Sequence, residues 1–167
     1  MKLWRGKRKY TGFDGVAKGR LAGTQKLVDW VRFLNAGKIT NLGTFVVRDQ
    51  RGHEGKPSIH GTGRAIDFGY KHREDALVVM DFLIRNWEAF GLELIVDYFP
   101  APYGRGWNVT RLAWSDYKKP TVAGAPSGKW FHVEISPEVA GDAAYIDWVF
   151  SLLLAPTAGH KPSSLSS

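Results

Sequence analysis

Apolar residues along the chain fall into short patches with two different periods. Leu27, Trp30, Val31 and Leu34 recur at helical spacing, which predicts a helix over 24–34 with Thr24 as its cap and Gly37 just past its end. Ala76, Val79, Met80, Leu83, Ile84 and Trp87 share one face of a second helix over 74–90, and Gly91 supplies its stop. A third helix is predicted over 137–154, with Pro137 in its first turn. Between the helices lie strand-like runs at 45–48, 64–70, 92–99 and 130–135. Residues 49–63 hold Gly52, Gly55, Pro57, Gly61 and Gly63, too much glycine for a strand, and 100–128 are broken by repeated proline and glycine; both read as loops. Short strands mixed with separated helices predict an α+β domain with a small, mainly antiparallel sheet flanked by helices. That domain is expected over 1–154, with 1–20 as a loose basic arm and 155–167 as a flexible tail.

Composition narrows the chemistry. The 167 residues are enough for one domain with a real core, and a hydrophobic share of 44% excludes a disordered chain. With no cysteine, disulfides, thiolate metal sites and a cysteine nucleophile are all excluded, so any metal site must use histidine and carboxylate. The formal charge of +7, from 23 basic and 16 acidic side chains, favours polyanionic partners such as nucleic acid or anionic cell-wall polymers. Part of the excess sits in Lys2, Arg5, Lys7, Arg8 and Lys9, which also reads as a solvated arm. The N-terminus turns charged at once and lacks an apolar core, which predicts synthesis in a cytoplasm without a signal peptide. The apolar run at 148–155 is interrupted by Ser151 and is far shorter than the ~20 residues of a membrane span, so no span is expected.

Two of the five histidines stand in unusual company. His60 lies on a glycine-rich turn, and Asp67 follows seven residues later on the next predicted strand. Glycine permits the turn to fold back and bring both side chains to one point. Ala65 shares the strand face of Asp67 and leaves room beside its carboxylate. The second histidine, His132, is flanked by Trp130 and Glu134 on one face of the strand at 130–135. His132 and Glu134 would sit roughly 6–7 Å apart along the strand, close enough for a ligand and a neighbouring base, or for a ligand and its outer partner. Two imidazoles and one carboxylate make a natural zinc set that leaves a fourth position for water. His60, Asp67 and His132 are therefore the expected metal ligands. His53, His72 and His160 have no such company and read as satisfied surface or core residues, His160 within the tail.

The pattern Ser58-x-His60-x-x-Gly63-x-Ala65-x-Asp67, followed by an aromatic residue and His132, resembles the zinc D-alanyl-D-alanine carboxypeptidase and phage L-alanyl-D-glutamate endopeptidase family, whose fold is shared with the hedgehog signalling domain. The resemblance covers roughly residues 45–135. It implies a small α+β fold with one zinc ion and cleavage of bacterial peptidoglycan stem peptides. Carried over by position, His60, Asp67 and His132 match the metal ligands, and Ser58 matches the serine that opens the motif. Ser58 and Trp130 are the candidates for substrate contact. An arginine before the motif steadies the substrate carbonyl in this family; Arg48 is its best match, and a guanidinium suits developing negative charge. One position departs from the family. Three residues before the last histidine, where many members carry an acidic base, this chain has Lys129, which cannot accept the proton and would repel a nearby metal. Glu134 is the substitute by strand-face geometry, with Glu54 and Asp116 as weaker candidates from flanking loops.

A wall hydrolase without a signal implies a phage lysin made in the host cytoplasm and released to the wall, or a virion protein with other virion proteins as partners. The alternative is a non-catalytic wall-binding or structural virion module that keeps the fold, for which Lys129 speaks. Nucleic-acid binding would rest on charge and on aromatics such as Trp4, Tyr10 and Trp107 alone, with no recognition motif in support. Gly104-Arg105-Gly106 lacks phosphate-loop spacing. Tyr103, Trp107 and Trp114 are available either as a cleft wall or as core.

Overall fold

The computed structural model describes residues 1–3, 5, 9–50, 52–120 and 124–155. Helix α1 (Ala22–Leu34) is followed by strand β1 (Ile39–Gly43), a ribbon of β2 (Asp49–Gln50) and β3 (His53–Pro57), and a short 3-10 helix (Ile59–Thr62). Strand β4 (Ala65–Tyr70) leads into α2 (Arg73–Arg85), α3 (Trp87–Phe90) and β5 (Leu92–Asp97). The chain closes with β6 (Arg105–Asn108), β7 (Ala113–Asp116), β8 (Trp130–Ile135), α4 (Pro137–Ala140) and α5 (Ala143–Leu154). Six strands form one sheet in the order β1-β4-β8-β5-β6-β7, and every neighbouring pair is antiparallel. The α+β architecture with an antiparallel sheet is as the sequence predicts. No described helix is long and apolar enough to cross a membrane.

Strand alternation divides the sheet into two faces. Ile66 and Phe68 of β4, Phe131, Val133 and Ile135 of β8, and Ile95 of β5 enter the core with Leu27, Val31, Val79, Leu83, Ile146 and Phe150 from the helices. Each such side chain contributes about 1.5–3 kcal/mol of burial. Residues of opposite parity, Asp67 on β4 and Trp130, His132 and Glu134 on β8, line an open cleft instead. The strand predicted over 130–135 is the strand observed, and it lies inside the sheet between β4 and β5.

Several local expectations are corrected. Residues 45–48 form no strand; Val46 and Val47 are exposed, and the segment runs alongside the site. The nearby strand is β1, which buries Ile39 and pairs with β4 through its backbone, so alternation never revealed it. Residues 49–63 contain the β2–β3 ribbon; every residue of its strands is exposed, so glycine there forfeits no packing. Within 100–128, β6 and β7 pair with Trp107 opposite Trp114. Trp107 is core, and neither it, Tyr103 nor Trp114 lines the cleft.

The second predicted helix breaks at Asn86, whose side chain donates to the Phe82 carbonyl at 2.9 Å; Gly91 ends α3 as expected. The third breaks at Gly141-Asp142, where Asp142 Oδ1 accepts from the Tyr145 N–H and starts α5. Thr24 does not cap α1, which begins at Ala22; its hydroxyl donates to the Gly63 carbonyl at 2.8 Å. The predicted tail beyond residue 155, His160 included, lies outside the described residues, as do Lys7 and Arg8 of the basic run.

Candidate metal centre

Three side chains converge because two adjacent strands and one turn are held in register. Asp67 on β4 stands directly opposite His132 on β8, and Ala65 stands opposite Glu134. His60 reaches them from the 3-10 turn. Ser58 caps that turn, its Oγ accepting from the His60 N–H at 3.4 Å, and Gly63 closes it in the left-handed region with φ 72°. A Cβ at Gly63 would also lie 2.9 Å from Leu21 Cγ and 3.1 Å from the Gly19 carbonyl, so this position requires glycine. Gly61 has no such demand, since an added Cβ would meet nothing closer than 3.7 Å.

His60 Nε2 lies 3.2 Å from Asp67 Oδ2, and His132 Nδ1 lies 2.8 Å from Asp67 Oδ1. The two rings are 5.0 Å apart, and one ligand atom from each of the three residues falls within 4.8 Å of the others. The group could hold a metal ion. The far nitrogen of His132, Nε2, lies 2.9 Å from Glu134 Oε1. A metal-ligating histidine characteristically hands its other N–H to a carboxylate, so the donor set fits a metal on the Nδ1 side. His60, His132 and Glu134 are buried, with exposures of 5%, 9% and 3%.

The electrostatics follow from that crowding. Burial alone would lower the pKa of His132, but hydrogen bonds to Asp67 and Glu134 and their charges raise it to about 10. Burial pushes Asp67 upward, and hydrogen bonds from His132 and His60 reverse this, holding its carboxyl well below the usual range. Without metal, His132 is thus an imidazolium donating to both carboxylates.

The remaining sequence candidates fall on both sides of the cleft boundary. Ser58 and Trp130 line it, Trp130 stacked on Tyr98 with centroids 3.8 Å apart. Arg48 lines it too, from an exposed loop whose carbonyl accepts from the Ser58 N–H at 2.9 Å. The cleft measures about 990 Å³. Lys129 is exposed and does not line it. It lies just before β8 and presents no charge from within the cleft. Glu54 and Asp116 lie on exposed strands rather than loops, and neither lines the cleft. His53 and His72 are exposed and apart from the group.

Sequence reasoning missed the part played by residues 10–17. They are bound, not loose: Arg64, 1% exposed, donates to the Gly12 carbonyl at 2.5 Å and to Asp14 Oδ1 at 3.1 Å, and the Ala17 N–H donates to the Gly61 carbonyl at 2.9 Å. The Thr11 N–H and hydroxyl both donate to Glu93. Tyr10 thereby lines the cleft, and its hydroxyl donates to Glu134 Oε2 at 2.6 Å. An arginine between Gly63 and Ala65, at the mouth of an apolar strand, was the available signal for a buried ionic anchor. No protein-family model, curated protein or solved structure matches the chain.

Proposed function

We propose that the chain is a zinc metallopeptidase that cleaves peptide bonds in bacterial peptidoglycan, acting as a phage endolysin or virion-associated wall hydrolase. The observation that carries this is the convergence of His60, Asp67 and His132 at an open cleft. The resemblance of the motif from Ser58 to Asp67 to the D-alanyl-D-alanine carboxypeptidase and L-alanyl-D-glutamate endopeptidase family supplies the reaction and its hedgehog-like fold. Two histidines and one carboxylate favour zinc among divalent ions. When bound, zinc would polarise a peptide carbonyl and acidify a water molecule.

The chain's own residues complete the chemistry. Arg48 presents a guanidinium at the cleft to steady a carbonyl oxygen gaining negative charge. Trp130, backed by Tyr98, offers an aromatic wall to an extended peptide. Glu134 orients His132, and among the described residues it is the only carboxylate lining the cleft besides the ligand Asp67. It is therefore the proposed proton acceptor. The net charge of +7 would concentrate the protein on anionic wall polymers.

A second reading, a wall-binding or structural virion module without turnover, is favoured by one feature. Both Glu134 oxygens already accept a hydrogen bond, from His132 and Tyr10, which stabilises the carboxylate and weakens it as a base. His60→Ala separates the readings. The peptidase reading predicts loss of wall lysis, by at least about 100-fold, with wall binding retained. Unchanged lysis would contradict it.

A further inference from the structure

Glu134 is held from a direction that the strands of the site do not supply. A carboxylate bonded through one oxygen can still swing about its stem; bonded through both, to different partners, it is fixed in plane and direction. Oε1 faces His132 Nε2, and Oε2 accepts from Tyr10, which arrives 124 residues earlier in the chain. The anchors of the arm that carries Tyr10 lie elsewhere: Thr11 on Glu93, Gly12 and Asp14 on Arg64, and Ala17 on Gly61. The Tyr10 hydroxyl is thus not what ties the arm down. Burial and the charge of Glu134 raise its pKa above the ordinary tyrosine value, so it stays a donor.

We propose that Tyr10 is a positioning residue of the metal centre: its hydroxyl fixes Glu134, which holds the Nε2 proton of His132 and leaves Nδ1 to face the ion beside Asp67 and His60. This rests on the metal-centre reading above. It makes the N-terminal arm part of the site rather than a solvated appendage. The chain Tyr10–Glu134–His132 acts on ligand orientation, a role distinct from contact with substrate.

The test is a double-mutant cycle on the full-length chain. Zn2+ affinity is measured by competition with a chromophoric chelator, and Co2+ absorption reports ligand geometry. The proteins are wild type, Tyr10→Phe, Glu134→Gln and the double variant, each checked for fold by circular dichroism. Tyr10→Phe is expected to weaken Zn2+ binding about tenfold, the lower end of what loss of an outer partner costs, and to alter the Co2+ bands. In the Glu134→Gln background the same change is expected to add little, because the link it breaks is already altered. Equal affinity and identical Co2+ bands in wild type and Tyr10→Phe would overturn the inference. So would an equal loss in both backgrounds, which would mark Tyr10 as acting by another route. Wild-type protein that takes up neither ion would instead overturn the metal-centre reading and take this inference with it.

Discussion

His132 has a carboxylate on each ring nitrogen, and this gives the metal-free centre a definite proton inventory. With its pKa raised to about 10, the residue is charged at neutral pH, and a metal must displace a proton to bind Nδ1. Zinc binding at pH 7 is therefore expected to release about one proton, measured by calorimetry in buffers of different ionisation enthalpy. Binding without proton release would contradict the arrangement. The same shift sets the pH response of the metal-free fold. A raised histidine pKa contributes stability that is fully present below the ordinary 6.5 and is lost as pH rises through about 10. Thermal melts of chelated protein are expected to fall across that window, and less so once zinc has replaced the proton.

At the scale of elements, the fold was most legible where contacts are local and alternation is strong. Strand β8 was readable to its end residues because Phe131, Val133 and Ile135 alternate with Trp130, His132 and Glu134. The turn from Ser58 to Gly63 and its delivery of His60 beside Asp67 were readable from the glycines that let the chain fold back. Strand β1 was not, because backbone pairing to β4 defines it and Ile39 is its one fully buried residue. Residues 45–48 misled for the converse reason: Phe45, Val46 and Val47 are apolar, yet they belong to no strand and none of them lines the cleft. Tyr10 was illegible because its partner is distant in sequence and no period marks a bound arm. Asp97 at the end of β5 is a similar long-range device. It is fully buried, receives Arg73 of α2 and Arg105 of β6, and so ties three elements together. Asp97→Ala leaves both guanidinium groups without a carboxylate and is expected to cost about 3 kcal/mol in chemical denaturation. A loss below about 0.5 kcal/mol would show that the arginines find solvent at no penalty.

Across the whole molecule, the sheet separates two tasks. One face carries the core against α1, α2 and α5, and the other presents Asp67, Trp130, His132 and Glu134 to an open cleft. The arm at residues 10–17 borders that cleft, with Tyr10 and Phe13 in its wall. The group that could hold a metal lies within two strands and a turn, whereas the proposed proton transfer depends on a carboxylate already doubly held, so metal binding and turnover are tested separately. Digestion of purified peptidoglycan, with and without chelator and followed by mass analysis of the fragments, tests the proposed peptidase most directly. New amino termini in stem peptides that vanish on chelation and return with zinc are expected. Intact peptidoglycan under every divalent metal supplied would contradict that proposal.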